Sequence, residues 1–123
     1  MSHTDDVPQP FRKTDYRIRF ATHTAEKGWR DLVATSRNAA VAAWEHLTAT
    51  PTQRTDDCYP LAGRLATIMI DGQPHQRWQY KSTRGGRIWY AIVPAAKGAD
   101  QAGIVMLERV ETGHPNETIK NFR

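Results

Sequence analysis

The sequence predicts an α+β domain in which an N-terminal strand and an α-helical hairpin pack on a twisted antiparallel β-sheet. Three observations predict it. Residues 16–20 alternate apolar and basic side chains, two stretches between Thr24 and Pro51 place apolar residues at helical spacing, and residues 65–110 form a series of short β-rich runs punctuated by glycine turns.

Tyr16, Ile18 and Phe20 alternate with Arg17 and Arg19, the period of a strand with one face buried. This is the first strand. The residues before it, 1–14, hold Pro8, Pro10 and several polar side chains without periodicity, and read as a flexible arm. Residues 15–123 then form a single domain.

Thr24 can cap a helix carrying Trp29, Leu32 and Val33 on one stripe, although Gly28 within it costs about 1 kcal/mol relative to alanine. That helix ends near Ser36. Ser36 or Asn38 can cap a second helix with the stripe Val41, Trp44 and Leu47, ending before Pro51. A short turn makes the two helices antiparallel neighbours.

Residues 52–59 are polar and read as a loop, whereas residues 65–70 are an apolar run ending at Asp71-Gly72, a hairpin signal. Residues 77–83, 87–93 and 104–110 complete the β-rich series, and they read as an antiparallel meander.

The register of the central hairpin decides which side chains share a face, because a slip of one residue inverts a strand. A two-residue Gly85-Gly86 turn would set Ile88, Tyr90 and Ile92 among Arg77, Gln79 and Lys81, which makes a poor core. A three-residue Arg84-Gly85-Gly86 loop sets them beside Trp78 and Tyr80 instead, and puts Arg77, Gln79, Lys81, Arg87 and Trp89 together on the other face. That arrangement is the expected one. No Asp or Glu occurs between Pro74 and Val93, so this surface is suited to phosphates, with Trp89 able to stack a base. The competing reading is a solvated sheet face with protective edge charges.

Composition narrows the function classes. With 123 residues, 39% hydrophobic and 24% charged, the chain has material for one modest core. No run approaches the roughly 20 apolar residues of a membrane span, and the opening residues lack the apolar stretch of a signal peptide. The single cysteine, Cys58, fits a reducing compartment, so a cytoplasmic location without membrane association is expected.

The net charge is +4 and most basic residues are arginine, which favours nucleic acid or an acidic protein as partner; a bias in codon usage would give the same composition. The five histidines and Cys58 lack metal-ligand spacing, no G-x-S-x-G elbow occurs, and Arg84-Gly85-Gly86-Arg87 is not a P-loop, so neither metal nor cofactor is expected.

Several strings together resemble the RelE/ParE family of toxins from type II toxin–antitoxin systems. Tyr16-Arg17-Ile18-Arg19-Phe20 resembles its first strand, Leu61-Ala62-Gly63 its step into the sheet, residues 77–93 its central hairpin, and residues 104–110 its last strand. Trp78-Gln79-Tyr80, Gly85-Gly86-Arg87-Ile88-Trp89-Tyr90 and Thr112-Gly113-His114-Pro115 are similar to strings in actinobacterial members. The likeness spans roughly residues 16–118, and it rests on the order of loose motifs.

The resemblance implies a ribosome-dependent mRNA endonuclease that inhibits translation, held in check by a cognate antitoxin. In that case a ribose 2′-OH attacks the adjacent phosphate and leaves a 2′,3′-cyclic phosphate. Arg87, Lys81, Arg77 and His114 are then the expected catalytic residues, and Arg84, Gln79, Trp89 and Arg109 the expected RNA contacts. Gln79 stands where RelE-like members often carry lysine. His114, the one candidate for general acid or base, is equally a polar turn residue before Pro115. The alternatives are a ParE-like inhibitor of DNA gyrase that does no chemistry, and an interaction module of the same fold.

Overall fold

The computed structural model of the chain describes residues 4–113. Strand β1 (Tyr16–Phe20) leads into helices α1 (His23–Thr35) and α2 (Arg37–Ala49), followed by β2 (Cys58–Pro60), a 3-10 turn at Gly63–Leu65, and strands β3 (Thr67–Ile70), β4 (Gln73–Gln76), β5 (Trp78–Lys81), β6 (Arg87–Pro94) and β7 (Gly103–Glu111).

The α1 N-cap is Thr22 rather than Thr24: its hydroxyl accepts from the Ala25 N–H at 3.0 Å. Both residues satisfy the composition rule for a cap, and the hydroxyl of Thr22 is additionally anchored by donating to the Glu108 carbonyl at 2.7 Å. Ser36 alone separates the helices, ending α1 through a bond from its N–H to Leu32 O.

Five strands form one sheet in the order β1-β7-β6-β5-β2, and β3 pairs only with β4 in a separate two-stranded sheet. The expected antiparallel sheet is thus mixed, because β1 runs parallel to β7 while the other neighbours are antiparallel. The meander fixes the direction of β7, and local alternation in β1 carries no information about which strand it will meet. The β3–β4 hairpin turns at Asp71 and Gly72, both with positive φ, as a type I′ turn requires.

The core lies between the helical hairpin and one face of the sheet. Ala25, Leu32, Ala40, Ala43 and Leu47 from the helices bury against Cys58, Ile88, Tyr90, Val105, Leu107 and Val110. Trp78 and Tyr80 border this cluster, as the expected sorting of the hairpin faces requires. Lys81 pairs with Arg87, so the connection is residues 82–86, two residues longer than the Arg84-Gly85-Gly86 loop. Thr83 closes it by accepting the Gly86 N–H through both its carbonyl and its hydroxyl. A difference of two preserves which face each side chain takes.

Gly28 has a positive role in this core. A Cβ there would lie 1.9 Å from the Val110 carbonyl oxygen, so glycine is what lets α1 approach β7. Tyr90 is fully buried and donates its hydroxyl to Pro51 O at 2.5 Å, with Cys58 Sγ 3.1 Å away. Cys58 is fully buried, and burial pushes its thiol up from the ordinary value, the setting of a thiol that packs in the core. No helix among the described residues is long and apolar enough to cross a membrane.

Candidate nucleic-acid interface

The face of the sheet opposite the helices carries a row of side chains running across four strands. Tyr59 on β2 pairs with Gln79 on β5, Gln79 with Trp89 on β6, and Trp89 with Arg109 on β7. Adjacent strands lie about 4.8 Å apart, so the row spans on the order of 14 Å. Beside it runs a second row, Lys81, Arg87 and Glu111.

Trp89 sits at the centre. Its indole N–H donates to Gln79 Oε1 at 2.8 Å, and the guanidinium carbons of Arg77 and Arg109 lie 5.0 and 5.7 Å from the ring centroid. Gln79 Nε2 in turn donates to the Tyr59 hydroxyl at 2.8 Å, and the Lys81 ammonium lies 5.5 Å from the centroid of the Tyr59 ring.

A shallow cleft of about 370 Å³ opens between Thr22, Thr24, Arg77, Trp89, Glu108 and Arg109. A smaller one, about 50 Å³, lies between Gln79, Arg87, Trp89, Arg109 and Glu111. A further cleft, about 500 Å³, lies on the helical hairpin among Trp29, Val33, Val41 and Trp44, on the opposite side of the sheet from these cations.

The structure brings Arg77, Gln79, Lys81, Arg87, Trp89 and Arg109 to one face, but it engages them unequally. Arg77 is largely withdrawn from solvent: Nε and Nη2 grip the two oxygens of Glu108 at 2.8 Å each, while Nη1 donates to Leu65 O. Arg109 pairs with Glu111 at 2.5 Å. Arg87 turns its Nη1 back onto Gly86 O at 2.8 Å, and neither it nor Lys81 forms an ion pair among the described residues. Arg84 is exposed on the turn. His114 lies outside the described residues; the preceding Gly113 packs against Gly85 of the same turn.

Tyr59, Glu108 and Glu111 are site residues that the sequence reading left out. Tyr59 closes the polar stretch 52–59 that reads as a loop, and the strand it belongs to, Cys58–Pro60, is too short to show a period. Glu108 reaches the face through a β-bulge: Trp89 pairs with Arg109 and Tyr90 with Leu107, which leaves Glu108 as the extra residue. The string Leu107-Glu108-Arg109-Val110 carries the signal, since two adjacent charged residues interrupt the alternation of an otherwise half-buried strand. The face therefore contains carboxylates, contrary to the expectation drawn from residues 74–93 alone.

Among the described residues, no three His, Cys, Asp or Glu side chains gather where they could hold a metal ion. Comparison of the chain with protein-family models, curated proteins and solved structures returned no match.

Proposed function

We propose that the chain is a toxin of the RelE/ParE kind that binds RNA on its outer sheet face and cleaves mRNA at the ribosome. One observation carries the reading. Lys81 and Arg87 stand opposite each other on β5 and β6, adjoining the Trp89 row, and neither has a carboxylate partner among the described residues. Glu111, the cross-strand neighbour of Arg87, is held by Arg109, so two adjacent cations that form no ion pair among the described residues, beside an aromatic ring, suit a phosphate flanked by a base. The first strand, helical hairpin and meander, in that order, support the family assignment.

On this reading Arg87 and Lys81 stabilise the charge that develops on the phosphate as the 2′-OH attacks. Arg77, spent on Glu108 and Leu65 O, holds the platform and does not contact the phosphate. A cognate antitoxin blocks the face with an acidic segment, which complements its remaining positive potential.

The same pairing of Arg77 and Arg109 with glutamates favours a second reading, a gyrase inhibitor or interaction module that binds without chemistry. Induced expression in cells, with primer extension on cellular mRNA and a gyrase supercoiling assay, separates the two. New mRNA ends during growth arrest support the nuclease; intact mRNA with inhibited supercoiling supports the alternative. Unimpaired growth, with neither effect, removes both.

A further inference from the structure

We propose that Tyr59 donates a hydrogen bond to a backbone phosphate oxygen of single-stranded RNA, and that Gln79 is the positioning residue that fixes it as a donor. The inference rests on the RNA-binding reading of the sheet face.

The direction of the bonds follows from what each group can do. An indole N–H can only donate, so the oxygen of Gln79 must face Trp89, and the bond is 2.8 Å long. That leaves the Gln79 amide nitrogen facing Tyr59, where it donates to the hydroxyl oxygen at 2.8 Å. The hydroxyl oxygen is thus an acceptor within the row, and its own hydrogen has no acceptor among the described residues. It points to a ligand or to water. A hydroxyl that already accepts a hydrogen bond is a stronger donor, because each bond in a chain polarises the next.

The surroundings select the class of acceptor. The Lys81 ammonium lies 5.5 Å from the centroid of the Tyr59 ring and forms no ion pair among the described residues, so an atom reaching the hydroxyl enters the field of that cation, with Arg87 opposite Lys81 on the next strand. A phosphate oxygen gains more from that field than a neutral base carbonyl does. Glutamine suits position 79 for a reason of chemistry: a lysine there could not accept from Trp89, so it would break the relay at its fixed end.

The test is fluorescence anisotropy of the full chain with labelled oligouridylate and oligoadenylate across a salt series. Tyr59→Phe keeps the ring and removes only the hydroxyl, so it should weaken binding to both oligomers by about ten-fold, the scale of a hydrogen bond to a charged acceptor. The slope of log affinity against log salt should not change, since no cation is lost, whereas Lys81→Ala should flatten it by roughly 0.7. Gln79→Leu should weaken binding to a similar degree, and the double variant should be no weaker than either single one, because Gln79 acts only through the Tyr59 hydroxyl. Gln79→Leu also keeps the test open if Tyr59→Phe does not fold. Wild-type affinity in Tyr59→Phe overturns the assignment and leaves the RNA reading standing. A loss confined to one oligomer places a base against Tyr59 and overturns the phosphate. Failure of the wild type to bind either oligomer removes the RNA reading and the Tyr59 assignment with it.

Discussion

Arg77 holds Glu108 by two parallel hydrogen bonds, each 2.8 Å long, across the gap between the end of the β3–β4 hairpin and the bulge in β7. The side chains are 13% and 24% exposed, too enclosed for water to replace either partner fully. Arg77→Ala should therefore destabilise the fold by about 2 kcal/mol, below the range for fully buried pairs because both groups keep some solvent. Urea midpoints measure this. A fully stable Arg77→Ala protein that had lost RNA binding would restore Arg77 to the contact surface.

Glu108→Gln makes the converse test. It removes the charge that neutralises Arg77 while retaining a side chain of similar size that can still accept one hydrogen bond. RNA affinity should rise and the salt dependence should steepen, because one more cation becomes available to the backbone. Unchanged affinity and slope would show that the cleft between Arg77 and Arg109 lies off the RNA path.

Gly28→Ala sets helix propensity against packing. Propensity alone favours alanine by about 1 kcal/mol, but the added Cβ would lie 1.9 Å from Val110 O and must drive α1 off the sheet. Packing wins at that distance, and the substitution should lower the thermal midpoint. A raised midpoint would mean that α1 can shift without loss.

The same residue shows what the sequence reveals and what it conceals. The period of Tyr16, Ile18 and Phe20, the stripes of α1 and α2 and the Asp71-Gly72 turn are local signals, and each marks its element in the structure. The faces of the central hairpin were readable because only one parity keeps Arg77, Gln79 and Lys81 out of the core. Contacts between distant elements left no such trace. Gly28 looks like a flaw until Val110 is placed against it, Arg77 looks available until the bulge brings Glu108 beside it, and β1 reveals its alternation but not its parallel partner. Three of the four residues of the Trp89 row are thus named by the sequence, Gln79 and Trp89 through the hairpin and Arg109 through the family resemblance, but not Tyr59, which needs the short β2 strand.

His46 supplies a prediction about pH. It stacks on Tyr80 with ring centroids 4.9 Å apart, and burial holds its pKa below the ordinary 6.5. The unfolded chain thus binds a proton more readily than the folded one, so this contribution to stability is complete above about 6.5 and is lost as pH falls from there towards the folded value. The urea midpoint should drop between pH 7.5 and 5.5, roughly the range in which histidine alone titrates. His46→Gln should remove part of that dependence; an identical drop in the variant would assign it to other groups.

On the proposed nuclease reading, the chemistry rests on Arg87. Its Nη1 is tied to the turn by Gly86 O at 2.8 Å, which fixes the guanidinium beside Trp89 without neutralising it. With translating ribosomes the protein should cut mRNA and leave a 2′,3′-cyclic phosphate. Chelation of divalent metal after ribosome assembly should not stop the chemical step, because the face supplies fixed cations and each of its two glutamates is already held by an arginine. Free RNA should be cut slowly, since the described face has no evident base and the ribosome must bring the 2′-OH into line. Arg87→Ala should lower cleavage by two orders of magnitude or so, the scale of losing one charge-stabilising donor, and should relieve growth arrest while the variant remains folded. Its effect on RNA binding should be far smaller, because Lys81, Arg84 and Arg109 remain to hold the backbone. A folded Arg87→Ala protein that cuts and arrests growth as the wild type does would place the reacting phosphate elsewhere on the surface.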